Sequence, residues 1–118
     1  MTADFAPDML TEYLHSFGLA KMQKLFAEFG RLSAADLQQV DRWLGEGDRK
    51  SLRFCFHRLR SSAQVFGMRG FASLCGALEE EILSGVELTA LDFKIAAVKI
   101  TYQEEYAQAA ACLKARGE

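Results

Sequence analysis

Six apolar residues, Leu52, Cys55, Phe56, Leu59, Ala63 and Phe66, recur at the 3–4 residue spacing of a helix with one buried face. His57 lies among them but out of phase. At ~100° per residue it falls about 140° from Leu52 and about 100° from Phe56, so its imidazole is expected outside the core. A lone histidine on a helix surface is ordinarily inert, but its neighbours here are unusual. Arg53, Phe54, Arg60 and Ser61 sit one turn away and Gln64 two turns on. From Arg49 to Leu78 there is no Asp or Glu, while Arg49, Lys50, Arg53, Arg58, Arg60 and Arg69 fall within the window. Phe54, about 60° from His57, adds an apolar residue where a solvated face would carry a polar one. A basic rim with an exposed apolar residue suits the docking of an acidic partner. Imidazole, with an ordinary pKa near ~6.5, supplies that surface with a neutral, nucleophilic nitrogen near neutral pH.

The elements that must hold this histidine follow from composition and phase. The chain has 118 residues, half of them apolar and a quarter charged, which suits one globular domain over 1–118 with a core of its own. Its single proline, Pro7, leaves nothing to break helices further on, so the composition leans all-α. Gly18, Gly45 with Gly47, Gly67, Gly85 and Gly117 lie where apolar periodicity stops, as helix C-terminal residues do. Between them the pattern predicts a short helix from about Asp8 to His15 and a long one from Leu19 to about Leu44. Ser33 with Asp36 resembles a capping box that would break the long helix. The stripe Met22, Leu25, Phe26, Phe29, Leu32, Leu37, Val40, Trp43 and Leu44 keeps its phase across that point within about 140°, which argues for continuity. A third helix, N-capped by Asp48, runs to Phe66, and a fourth from about Arg69 to Ser84. A fifth is expected to be capped by Thr89 with Asp92, its stripe being Leu91, Ile95, Val98, Tyr102, Tyr106, Ala109 and Leu113. Four long helices with short turns predict an up-and-down antiparallel four-helix bundle with a short extra N-terminal helix.

The segment His57-Arg58-Leu59-Arg60-Ser61-Ser62-Ala63-Gln64-Val65-Phe66-Gly67, continuing through Leu74-Cys75 to Leu78-Glu79, resembles the histidine phosphotransfer (HPt) family. The family pattern is H-x-L-K-G-S, a hydrophobic-Gly helix end, then a Cys and a Leu-Glu pair on the next helix. The resemblance implies a four-helix bundle exposing a histidine that is reversibly phosphorylated. It would accept the phosphoryl group from a receiver-domain aspartate, as in a hybrid sensor histidine kinase, and pass it to the receiver of a response regulator. His57 then corresponds to the phosphoacceptor, Arg60 to the family lysine that pairs with phosphate oxygens, and Glu79 to a polar group bonded to the imidazole. Arg53, Phe54, Arg58, Ser61, Gln64, Arg69 and Gly76 are expected on the partner-binding surface, Gly76 permitting close approach of a neighbour or partner. Two residues depart from the pattern. Arg60 replaces lysine with a larger planar fork. Ser61 replaces a glycine, which is expected to reduce tolerance for an approaching receiver.

On this reading Nε2 of His57 attacks phosphorus while Glu79 holds Nδ1–H, with Arg60 and either Arg53 or Arg58 balancing the phosphoryl charge. A phosphocarrier rather than an enzyme is expected, because no nucleotide-binding loop or kinase motif is present. No cofactor and no metal are expected. Glu79, Glu80 and Glu81 are consecutive on a helix and cannot converge on one ion. His15 lacks basic neighbours and reads as structural or solvent-exposed. Cys55 and Cys75 fall on core stripes, and the odd count of three cysteines without a C-x-x-C pair argues for reduced thiols and a cytoplasmic location. The N-terminus lacks the charge pattern of a signal peptide, and no apolar run suits a membrane span. The net charge of −2 and the absence of a second basic stripe argue against nucleic acid. The principal rival is a bundle that binds an acidic protein through Arg49–Arg69 without being phosphorylated. Nothing outside the His57 face demands a second copy, so a monomer is expected.

Overall fold

Pro7 opens the first helix, α1 (Pro7–Phe17), at a position where its missing N–H has no helical partner to lose. The computed structural model describes residues 4–117. α1 is longer than the Asp8–His15 segment expected, and it stops at Gly18, whose φ of 84° turns the chain into α2 (Leu19–Glu46). α2 is continuous through Ser33, as its phase required. The Ser33 hydroxyl donates to the Phe29 carbonyl at 2.6 Å and lies 2.7 Å from the Tyr102 hydroxyl, which must then be the donor to it. A serine satisfied in this way has no helix start to cap. Burial pushes the Tyr102 phenol up from its ordinary value. Leu25 and Leu32 are 40% and 50% exposed, so the buried stripe of α2 is narrower than the expected 140°.

α3 (Arg49–Val65) starts at Asp48, whose carboxylate accepts from the Ser51 backbone N–H at 3.1 Å and from the Ser51 hydroxyl at 2.7 Å. α4 (Arg69–Leu83) follows a tight turn at Gly67, φ 74°, where a side chain would run into the Ala6 carbonyl. Gly45 and Gly117, expected just beyond helix ends, lie inside the last turns of their helices. The expected capping box at Thr89 is also absent. Thr89 sits within a 3-10 turn, Leu88–Leu91, and α5 (Asp92–Gly117) begins at Asp92. The turn lets Leu91 be fully buried before the helix begins.

The contacts fix the topology. Asp36 meets Arg58 and Phe29 meets Phe66, so α2 and α3 are antiparallel. His57 meets Glu79 while Arg49 reaches the Ile82 and Val86 carbonyls, so α3 and α4 are antiparallel. Phe71 packs on Tyr102 and Glu81 pairs with Lys94, so α4 and α5 are antiparallel. Asp41 pairs with Lys99 and Phe26 stacks on Tyr106, closing the ring between α2 and α5. The result is the expected up-and-down bundle, with α1 packed against α2, α3 and α5. Leu52, Cys55, Phe56, Leu59, Ala63 and Phe66 are all buried, as their spacing predicts. His15 is exposed.

One buried charge holds an end of this ring together. Glu105, on α5, has no exposed surface. One carboxylate oxygen accepts from the Phe71 backbone N–H at 3.0 Å, in the first turn of α4, and the other accepts from the Asp4 backbone N–H. The segment before α1 is further tied to the α3–α4 turn: the Ala6 N–H donates to Gly67 at 2.7 Å and the Gly70 N–H donates to Asp4 at 3.2 Å. Arg69 holds the Asp4 carboxylate with two bonds, which lower the Asp4 pKa. Replacing Glu105 by Ala strands the buried Phe71 N–H and removes the acceptor of the Asp4 N–H, at a cost of about 2–3 kcal/mol. The expected outcome for Glu105→Ala is a Tm lower by roughly 10 °C in a thermal melt; a melt unchanged within error would contradict this account.

The cysteines offer a second check. Burial pushes the Cys55 thiol up to about 12 and the Cys75 thiol upward as well, whereas Cys112 is only partly buried. A thiol reagent at mildly alkaline pH should therefore label one cysteine rapidly in the folded protein, Cys112, and all three after denaturation.

Candidate functional site

α3 and α4 run side by side with His57 facing Glu79 across the gap. The imidazole is half exposed, its side chain retaining 50% of its surface, whereas that of Glu79 retains 11%. Nδ1 lies 2.9 Å from Glu79 Oε2. A carboxylate only accepts, so Nδ1 carries a proton, and in the neutral ring Nε2 is then the nitrogen with the free lone pair. The ring is thus held at one nitrogen and open at the other.

Arg60 completes the cluster. Its Nη2 stands 3.5 Å from His57 Nδ1 and 3.6 Å from Glu79 Oε1. Both nitrogens are donors in this arrangement, so the partner of the guanidinium is the carboxylate and not the ring. Arg60 reaches Glu79 by lying across α4 at Gly76. A Cβ there would come within 3.2 Å of Arg60 Cδ, and the atoms within 4 Å of it all belong to Arg60.

The remaining expected residues divide between the flanks. Ser61 and Gln64 are exposed on the His57 side of α3. Phe54 is 40% exposed, and the Arg53 guanidinium lies over its ring, 4.4 Å from the centroid. Toward α4, Arg60, Gln64, Arg69, Ser73 and Gly76 line an open groove of about 360 Å³ that Met9 of α1 closes at one end. Toward α2, Arg58 pairs with Asp36 at 3.1 Å over a smaller groove of about 250 Å³ that includes Leu32 and Ser62.

The basic stretch is consequently not one continuous face. Arg49 turns to the C-terminal carbonyls of α4, Arg58 is held by Asp36, and Arg69 is held by Asp4. Arg60 is the cation in contact with His57, and Arg53 lies one turn earlier over Phe54. Sequence reasoning missed Leu32, assigned to the core but half exposed beside Arg58. Its position at the edge of the apolar stripe was the available signal. Among the described residues no group of three His, Cys, Asp or Glu side chains could hold a metal ion, and no helix is long and apolar enough to cross a membrane.

A half-exposed histidine clamped by a carboxylate on the neighbouring helix of a four-helix bundle is the arrangement the HPt resemblance implies. The model of the Hpt domain family matches residues 24–111, so most of the bundle is included, and the chain belongs to that family. Hpt domains are phosphotransfer modules of two-component signalling and interact with receiver domains. Comparisons with curated proteins and with solved structures each returned no match.

The clamp makes a prediction of its own. In nitrogen NMR spectra above neutral pH, His57 should show a protonated Nδ1 and an unprotonated Nε2. In Glu79→Ala the ring loses its acceptor, and the balance should move toward the Nε2–H form that a free imidazole side chain favours. Identical tautomer signals in the two proteins would show that Glu79 does not set the ring.

Proposed function

We propose that this protein is a phosphorelay intermediate that accepts a phosphoryl group on Nε2 of His57 from a receiver-domain aspartate and returns it to the aspartate of another receiver. The observation that carries the reading is the tie between Nδ1 and Glu79 on a half-exposed ring, which in the neutral imidazole makes Nε2 the free nitrogen.

The step balances on these groups. The Nε2 lone pair forms the N–P bond as the P–O bond of the aspartyl phosphate breaks, and the aspartate leaves as a carboxylate. The ring keeps its proton at Nδ1 and becomes cationic, facing the Glu79 carboxylate at 2.9 Å. Arg60, 3.5 Å from the ring at Nδ1, is the cation that would swing to the incoming phosphoryl oxygens, with Arg53 one turn earlier on the same helix as the second. Because the same atoms serve both directions, transfer is reversible, and an N–P bond to a cationic ring stays reactive enough for the second receiver. The positioning and electrostatics come from this chain, and the donor carboxylate comes from the partner.

The grooves on the two sides of α3, one lined by Arg60 and Gln64 and the other by Arg58 and Ser62, give a receiver shape to dock into, with the exposed Phe54 and Ser61 on the same helix. Ser61 is exposed and small, which supports approach of a partner despite the departure from glycine. We read residues 1–118 as a single carrier domain, without kinase activity, acting as a monomer in the cytoplasm.

The test is transfer from a phosphorylated receiver. Wild type should acquire label that is lost in acid and kept in base, as a phosphohistidine is. His57→Gln should acquire none, while melting at the same temperature because the ring is largely outside the core. Labelling of His57→Gln equal to wild type would move the phosphoacceptor elsewhere. Stable binding of receivers without any transfer to wild type would leave the bundle as an adaptor.

A further inference from the structure

We infer that Gly76 is a positioning residue, keeping α4 bare so that Arg60 can lie across it and present its guanidinium to Glu79 beside His57. This rests on His57 being the phosphoacceptor, but the contact itself can be examined separately.

Gly76 is in the middle of α4, and it is not among the glycines with positive φ, so its backbone does not require glycine. In such a position alanine is the better helix former. What the site does require is space. A Cβ would stand 3.2 Å from Arg60 Cδ and 3.8 Å from Nη1, with no other group within 4 Å. The aliphatic stem of Arg60 therefore rests on the helix backbone at Gly76. From there its head reaches one turn further along α4, to Oε1 of Glu79 at 3.6 Å. A methyl group at position 76 forces the stem to give by a few tenths of an ångström at Cδ, and on this proposal that shift is passed to the head at Glu79.

This assigns Gly76 a different task from clearing a path for a docking partner. A partner-facing glycine would matter whatever side chain stood at position 60. A glycine that seats Arg60 matters only while Arg60 is present. It also means that the size of Arg60 is accommodated within the chain, on α4, and the surface over His57 stays open.

The experiment has a structural and a kinetic arm. In NMR spectra of the intact protein, Overhauser contacts should join the Arg60 δ protons to the Gly76 α protons; their absence would overturn the proposal directly. With a phosphorylated receiver as donor, Gly76→Ala should slow transfer at saturating receiver by about three- to tenfold, with little change in the half-saturating concentration. In an Arg60→Ala background the same change at position 76 should slow transfer no further. An equal loss in both backgrounds, or a loss confined to the half-saturating concentration, would mark Gly76 as a docking residue and overturn the proposal. Gly76→Ala should melt no lower than wild type, and a rate loss accompanied by a lower Tm and vanishing in refolding additives would equally overturn it. If wild type takes no label from any receiver, the reading of His57 fails, and the Overhauser contact still decides whether Arg60 is seated on Gly76.

Discussion

A nucleophilic imidazole has to be exposed on one side and restrained on the other, and the bond from His57 Nδ1 to Glu79 is what reconciles the two. A surface histidine free to rotate would offer either nitrogen and several orientations. Fixing Nδ1 selects the tautomer of the neutral ring and holds a carboxylate against it. The bond exists only if α3 and α4 approach closely and keep their register, so the geometry of the pair follows from that one requirement. The register is kept at both ends. Arg49 ties the start of α3 to the last carbonyls of α4, and the Gly67 turn ties the end of α3 to its beginning.

The rest of the bundle serves that pair. Phe56 and Leu59 on α3, and Phe71, Cys75 and Leu78 on α4, are buried, so the outward faces are set by burial of the inward ones. α2 and α5 supply the other half of the core, where Phe26, Phe29, Phe66, Tyr102 and Tyr106 form a continuous aromatic cluster. Gly30 belongs to this arrangement, because a side chain there would meet the Tyr106 hydroxyl. The two internal glycines thus make room for different things, one for an aromatic ring in the core and one for an arginine at the surface.

Much of this was legible in the sequence because it depends on local periodicity. The outward place of His57, the buried stripe of α3, the Asp48 cap and the continuity of α2 all follow from spacing and side-chain chemistry within a few turns. What escaped depends on contacts between distant segments. Glu105 lies on the inner face of α5 but is charged, so an apolar template passes over it; its partners, the Phe71 and Asp4 amides, are visible only once the chain is folded. Leu32 fits the apolar template and is half exposed, because no neighbour closes over it. The six basic residues of the Arg49–Leu78 window looked like one surface, yet three are engaged by acceptors elsewhere in the fold. A linear charge pattern gives the number of cations near a site but not their pairing.

The clasp made by Asp4 and Glu105 has a consequence for the order in which the molecule can be assembled. These residues are separated by 101 positions, although helical bundles otherwise depend largely on near-neighbour contacts. Helices α1 to α4 can form and pair as they are synthesised. The turn joining the His57 helix to the Glu79 helix gains its last fastening when α5 arrives and delivers Glu105 to the amides of Phe71 and Asp4. A ribosome-bound chain lacking α5 already has His57 and Glu79 but lacks the buried acceptor for those two amides. α5, which carries neither His57 nor Glu79, therefore separates a chain that contains the pair from one in which the turn between their helices is fully fastened.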